Sequence, residues 1–363
     1  MSNVIRLNVP SQRQSQGDRH AALIASFAQH RRFGDDVFWL KENAELLNIL
    51  ECTGTKLAPD ALAPFEGYYK HVEKRLGFFP QYYRFLLSIC LDLEDLGLTT
   101  AGSSGTKGET LVRWAAREGL AEAELSDLQR AEARRLMMRR GVDPFPDDAG
   151  LSARLHRFIN RSDTFAMPNK KAAYELTHIV FYLSEYGRRD PGLSSAALTS
   201  LEFAGILAYL DQNADLLAEI CIAMRFAGAT PSQIWEDWLE RETHCFELET
   251  GPTAGTSDDY HDYFVCNWLM AASGRDAFVK AASFERMAFF RAEPAVGPLR
   301  EMSECMFRME EARSDDWGVM RAQVVDGLTE IGHDILDEAE RSSPKFDAFF
   351  AGFARTGLRG VAL

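Results

Sequence analysis

Residues 170–187, with the sequence KKAAYELTHIVFYLSEYG, decide the fold class of this chain. Leu176, Ile179 and Leu183 recur at three- and four-residue spacing, which is the period of an amphipathic α-helix. Gly187 ends the run, as expected at a helix C-terminus. The stretch therefore predicts an α-helix over 170–187.

The same apolar period recurs from about residue 20 to about residue 355. No alternating strand pattern and no hairpin signal flanked by strands interrupts it. The sequence therefore predicts an all-α chain that forms a compact multi-helix single domain. Either an α/α toroid or an irregular bundle would satisfy the helix count. Besides 170–187, helices are expected from Asp36 to Gly54, from Pro80 to Gly97, and at 108–119, 121–140, 149–161, 195–212, 215–227, 231–249, 258–273, 277–291, 296–313, 316–341 and 344–355.

The N-terminal segment differs from the rest in composition. Residues 1–18 are rich in Ser, Gln and Arg and lack apolar periodicity, which predicts a flexible arm. Residues 19–363 are expected to form one helical domain. The loops at 99–107 and 251–257 are too short to be expected as domain linkers.

Charge and composition exclude several classes of protein. The formal net charge of −14 argues against a nucleic-acid partner, because such a protein needs a basic face. No apolar run approaches the ~20 residues of a transmembrane helix, so no membrane partner is expected. The six cysteines are scattered without a C-x-x-C pair, and no secretory signal is found. The chain is therefore expected to be cytoplasmic, with free thiols.

One face of the helix at 170–187 carries the most informative polar residues. Glu175, His178, Tyr182 and Glu185 fall at i, i+3, i+7 and i+10. A face exposed to solvent more usually carries Lys, Glu and Arg than His and Tyr between aromatic residues. This face is therefore expected to line a pocket or a polar layer of the core. The structural alternative is a hydrogen-bonded core histidine.

Two further segments carry residues that are able to join this face. His261, at the start of a predicted helix, is a possible acid, base or hydrogen-bonding group. Asp211, Asp215 and Glu219 stand at i, i+4 and i+8, and on an unbroken helix they would form an acidic stripe suited to a divalent cation. The segment 211–213 instead predicts a helix break with a cap.

Metal-binding patterns are incomplete. Glu175 and His178 form the Glu-x-x-His half of a carboxylate-bridged di-iron motif, but a second copy is missing. His244 and Cys245 are adjacent possible zinc ligands without a partner pair. We therefore predict no metal site. Nucleotide-binding and hydrolase motifs are also missing, so the sequence identifies no cofactor.

Part of the chain resembles a functionally uncharacterised group of bacterial all-helical proteins. The resemblance covers about the central third of the chain and rests on three segments: Tyr174-x-Leu176-Thr177-His178-x-x-Phe181-Tyr182-Leu183 ending in Tyr186-Gly187, Asp215-Leu216-x-x-Glu219, and Tyr260-His261. It implies a helical fold and singles out Thr177, His178, Glu219 and His261 as positions to test. It brings no known reaction with it.

Three functional hypotheses follow. The first is a small-molecule enzyme or ligand-binding protein, in which His178 is the acid, base or polar anchor. Glu175 or Glu219 would orient it, and Tyr182 and His261 would add hydrogen bonds.

The second hypothesis is a non-catalytic scaffold that binds a protein partner through surface helices and uses the same residues as a polar layer in its core. The third is a metal-binding helical protein that uses some of His178, His244, Cys245, His261 and Glu219. We rank the three hypotheses in this order.

Overall fold

The prediction of an all-α single domain is confirmed. A computed structural model describes residues 14–34, 36–58, 60–98, 106–292 and 295–356. It is 64% helical, with 17 α-helices and two short strands among the residues described. The α-helices are α1 (Gln16–Ala25), α2 (Val37–Cys52), α3 (Glu66–Phe78), α4 (Tyr83–Asp95), α5 (Lys107–Arg117), α6 (Asp127–Met138), α7 (Leu151–Ile159), α8 (Ser162–Phe165), α9 (Lys170–Leu183), α10 (Ser195–Leu210), α11 (Ala214–Phe226), α12 (Gln233–Cys245), α13 (Tyr260–Ala272), α14 (Leu299–Met309), α15 (Trp317–Val325), α16 (Glu330–Ser342) and α17 (Phe346–Phe353). A π-helical turn spans Ser26–His30, and 3₁₀ turns span Ala63–Phe65, Pro80–Tyr82 and Glu310–Ala312.

Helix α11 lies at the centre of the fold. It is buried along most of its length and packs against α9, α10, α12 and α13. Because this helix is surrounded by others, the helices form one compact domain around it. Helices α2 and α4 pack on each other, and α2 also contacts α13.

Several helices begin where the capping residues predict. The side chain of Asp36 accepts a hydrogen bond from the backbone of α2, Asn169 caps α9 and Ser194 caps α10. Each side chain satisfies a backbone amide that has no partner within its own helix. The break expected at 211–213 is also present, since Asp211 ends α10 and Asn213 caps α11.

The expectation of no strands is wrong. Strand β1 (Glu247–Thr250) pairs antiparallel with β2 (Met287–Phe290), with Glu247 opposite Phe290. The helices expected over 231–249 and 277–291 overlap these strands: the first range covers part of β1 and the second covers all of β2. A short apolar run has no distinguishing period, and its strand partner lies far away in sequence, so the local pattern could not reveal the pairing.

Other boundaries also differ from prediction. The helix expected at 316–341 is divided into α15 and α16, because Thr329 caps a second helix start. The helix expected at 121–140 begins only at Asp127, where Ser126 caps it.

The predicted N-terminal arm is described in part. Residues 1–13 lie outside the described residues, so their flexibility stays a prediction. Helix α1 begins at Gln16 with a reciprocal cap between Ser15 and Asp18. The side chain of Gln14 exchanges two hydrogen bonds with the backbone of Ala282. Residues 14–18 therefore begin the helical domain.

All six cysteines are free thiols, and four of them are buried. None of the described helices combines the length and the apolar character that a membrane crossing requires.

Candidate functional site

A cavity of about 380 Å³ lies among α2, α4, α6, α9, α11 and α13. One wall is aromatic, where Phe181, Tyr186 and Trp268 pack against one another. The polar floor is formed by side chains from four helices: Glu45, His178, Glu219 and His261. The volume falls within the ~300–1,000 Å³ range of small-molecule sites, and an apolar wall with a few convergent polar groups is typical of such sites.

Helix α9 directs its polar face into this cavity. Leu176 and Ile179 are buried in the core behind the helix, and the same orientation places His178 and Tyr182 in the cavity wall. The His178 and Tyr182 rings stack with their centroids 6.1 Å apart. The polar face was predicted to look into a pocket or a polar layer, and these two residues line a pocket.

His178 lies beside Glu219. Its Nε2 is 3.6 Å from Glu219 Oε1, which is longer than a good hydrogen bond. Thr177 donates a hydrogen bond of 2.5 Å to the other oxygen, Oε2, and so holds the carboxylate in place. Burial lowers the pKa of His178, but the negative charge of Glu219 outweighs it and the net pKa is raised.

His261 is held between two carboxylates. Its Nδ1 is 2.6 Å from Glu45 Oε1, and its Nε2 is 3.2 Å from Asp215 Oδ1. Burial lowers the pKa of His261, but the two carboxylates together raise it well above its ordinary value. Burial raises the pKa of Asp215, yet His261 brings it below the usual range. Tyr174 donates a 2.5 Å hydrogen bond to Asp215 Oδ2.

Tyr182 remains a phenol at neutral pH. Burial raises its pKa well above the ordinary value, and Glu132 adds to the shift. Across the cavity, Arg84 pairs with Glu124 and Glu132, so most of its charge is balanced within the protein. The cavity lining therefore combines hydrogen-bond donors with the carboxyl groups of glutamate side chains.

The structure brings four of the predicted site residues together at the cavity and places Glu175 outside it. His178, Tyr182, Glu219 and His261 line the same cavity. Glu175 does not line it and makes no hydrogen bond or ion pair with the other described residues. Glu219, rather than Glu175, is the carboxylate beside His178.

The remaining possible metal ligands are separated from this cavity. His244 and Cys245 are exposed at the end of α12. Asp211 pairs with Lys170 at a distance of 2.7 Å. Asp215, Glu219 and His261, in contrast, each offer one ligand atom, and these atoms lie within 4.8 Å of one another.

Sequence reasoning missed Glu45 and Tyr186. On α2, Lys41, Glu45 and Asn48 share a polar face that looks like an ordinary solvent-exposed face. Tyr186 follows α9 in a left-handed turn, with φ of 55°, and returns to stack on Phe181. Only the positions of the neighbouring helices show that both residues face a cavity.

The fold and cavity define an all-α protein with a buried Asp/Glu/His cluster. Residues 1–356 match a family described as a domain of unknown function, DUF6902, and the chain belongs to this family. No curated protein and no solved structure matches the chain. Membership of this family implies no particular reaction, ligand or partner. The bacterial origin of the group that the sequence resembles, and the helix motif on which that resemblance rests, remain predictions.

Proposed function

We propose that the protein is an enzyme that binds a small organic molecule in the cavity and uses His178 as its acid or base. The observation that carries this proposal is the exposure of the imidazole. The His178 side chain is 39% exposed although it lies among the central helices, because its free surface faces the cavity. A histidine kept only for core packing would be enclosed and fully hydrogen-bonded.

The neighbours of His178 suit an acid–base role. Glu219 lies close enough to orient the imidazole and to stabilise its protonated form. Glu219 raises the pKa of His178 above its ordinary value, which favours the protonated imidazole that a general acid requires. Tyr182, a neutral phenol stacked on the ring, supplies a hydrogen-bond donor beside it.

The cavity walls indicate the class of molecule. Phe181, Tyr186 and Trp268 offer ring faces for a flat or apolar portion of the ligand. The polar floor is formed by side chains of α2, α9, α11 and α13, and a group with an exchangeable proton would meet His178 there. We infer a substrate that combines an apolar, flat part with one polar reactive group.

The cellular location belongs to the same proposal. A cytoplasmic enzyme is supported by the six free cysteines, four of which are buried.

A thermal-shift screen of metabolites tests this function. A cavity ligand at about 100 times its Kd adds roughly 2.7 kcal/mol to the free energy of unfolding, which raises the Tm measurably. His178→Gln should keep the fold but abolish the shift, and any turnover of the ligand. The matched control is His244→Gln, because His244 is exposed at the end of α12. It should leave binding and turnover unchanged.

The scaffold hypothesis predicts another outcome of the same experiment. If the polar residues form only a structural layer, no metabolite will stabilise the protein, and His178→Gln will lower the Tm of the protein alone. That result would contradict the proposed enzyme.

A further inference from the structure

The geometry points to a divalent metal site formed by Asp215, Glu219 and His261 at the floor of the cavity. We infer that it binds one first-row transition metal ion, such as Mn²⁺, Fe²⁺ or Zn²⁺. Asp215 and Glu219 lie one turn apart on α11, and His261 faces them from α13. This inference departs from the prediction of no metal site. It goes beyond the proposed function and does not depend on it.

The first observation is a buried oxygen without a hydrogen bond. Asp215 is only 7% exposed, and its Oδ1 makes no hydrogen bond of acceptable geometry. This oxygen lies 3.2 Å from His261 Nε2. A buried carboxylate oxygen with one imidazole nitrogen nearby and no well-aligned hydrogen bond is incompletely satisfied, and a metal ion coordinated there would satisfy it.

The second observation concerns the orientation of His261. Glu45 accepts a hydrogen bond at Nδ1, which fixes the proton there. His261 Nε2 then faces Asp215 Oδ1 directly. A divalent ion coordinated by both atoms would take the place of a proton between them. A separation of 3.2 Å is close to that of two neighbouring ligands with bonds of about 2.0–2.2 Å.

The third observation is that a second polar atom of each proposed ligand residue is hydrogen-bonded to a neighbouring side chain. Tyr174 donates to Asp215 Oδ2, the oxygen that is not paired with His261, and Thr177 donates to Glu219 Oε2. Glu45 holds the far nitrogen of His261. Hydrogen bonds of this kind orient the ligands of protein metal sites and leave the facing atoms free for the ion.

The donor set selects the class of metal. Two carboxylates and one imidazole suit Mn²⁺, Fe²⁺ and Zn²⁺, whereas Mg²⁺ and Ca²⁺ prefer sites made wholly of oxygen. The ligand atoms lie within 4.8 Å of one another, so a side-chain movement of about 1 Å closes them around an ion. Three protein ligands leave coordination positions open, as in catalytic metal sites, and two of the three residues, Glu219 and His261, line the cavity.

Metal counting tests the site. The protein is dialysed against EDTA, incubated with Zn²⁺, Mn²⁺ or Mg²⁺ and desalted, and the retained metal is measured by inductively coupled plasma mass spectrometry. We expect one Zn²⁺ or Mn²⁺ per chain and little Mg²⁺. Asp215→Asn should weaken binding by about 100-fold or more, since loss of an outer-shell partner alone costs about 10–100-fold. Asp211→Asn, four residues earlier in the chain and outside the site, should bind metal as the original chain does.

Two further variants keep the test independent of folding and of the proposed function. Glu45→Gln retains all three ligands and should lower the affinity by about 10–100-fold. His178→Gln should keep the metal, so a failure of the enzyme proposal leaves this result unaffected. Co²⁺ added to the unmodified chain should give a visible absorption band of a bound ion.

The inference is overturned if the unmodified chain retains no transition metal and gives no Co²⁺ band. It is also overturned if folded Asp215→Asn, checked by circular dichroism, retains metal as tightly as Asp211→Asn. The latter result would place the metal elsewhere, for example at the exposed His244 and Cys245.

Discussion

Replacing Thr177 by valine should destabilise the protein more than the same change at another buried threonine. Thr177 is fully buried, and its hydroxyl oxygen lies 2.5 Å from Glu219 Oε2 and 2.9 Å from the backbone oxygen of Tyr174. Its single proton is donated over the shorter contact, to Glu219. Valine has nearly the same shape but removes the hydroxyl donor. The buried carboxylate then loses a charge-assisted hydrogen bond, which is worth about 1.5–3 kcal/mol.

Thr243 provides the matched control. It is also buried in a helix, and it donates a 2.7 Å hydrogen bond to the backbone oxygen of Leu239 in its own helix. Thr243→Val should therefore cost only about 0.5–1.5 kcal/mol, as for a neutral hydrogen bond. We expect Thr177→Val to be the more destabilising of the two by about 1–2 kcal/mol.

Urea unfolding at pH 7 measures both free energies of unfolding. A double-mutant cycle with Glu219→Gln assigns the excess to the Thr177–Glu219 contact, because the coupling term isolates the interaction of the pair. Equal losses for the two threonine variants, or a coupling energy close to zero, would refute the claim that Thr177 holds the carboxylate in place.

Two other predictions follow from single sites. Burial, aided by Arg19, lowers the pKa of His20 to about 4, so between about pH 4 and 6.5 the unfolded chain binds more protons than the folded one. The free energy of unfolding should therefore fall as the pH drops from 7 to 5, by on the order of 2 kcal/mol from this group. Urea unfolding of His20→Gln should show a smaller fall over the same pH range. An unchanged pH dependence would contradict the lowered pKa of His20. Gly205→Ala places a methyl group 2.5 Å from the ring of the buried Trp235 and should cost about 1–3 kcal/mol or more. In contrast, the methyl group of Gly77→Ala in α3 meets no atom within 4 Å, and this change should stabilise the helix by about 0.5–1 kcal/mol. Thermal unfolding compares the two variants. Equal Tm values would contradict the packing argument.

The features of this structure that depend on neighbouring residues in the chain could be predicted from the sequence. The apolar period around Leu176 and Ile179 was enough to predict α9 and the direction of its polar face. Capping residues such as Asp36 and Ser194 located helix starts, because a cap acts within one turn of its own helix.

The site itself could be predicted only in part, because its contacts join distant segments. His178 was identified from its own helix, but its partner Glu219 comes from α11. Glu45 and His261 are far apart in the chain, and local periodicity does not show that their side chains meet. Strand β2 was missed for the same reason, since Met287–Phe290 becomes a strand only through its pairing with β1.

The central claim is that the polar cavity floor around His178 serves function rather than stability. The free energy of unfolding of His178→Gln, measured by urea denaturation at pH 7 without ligand, tests it most directly. Because His178 Nε2 is 3.6 Å from Glu219 and the ring faces the cavity, we predict a change of less than about 1 kcal/mol, as for a weak ion pair. A loss of more than about 2 kcal/mol, as expected when a buried charge loses its partner, would contradict the claim.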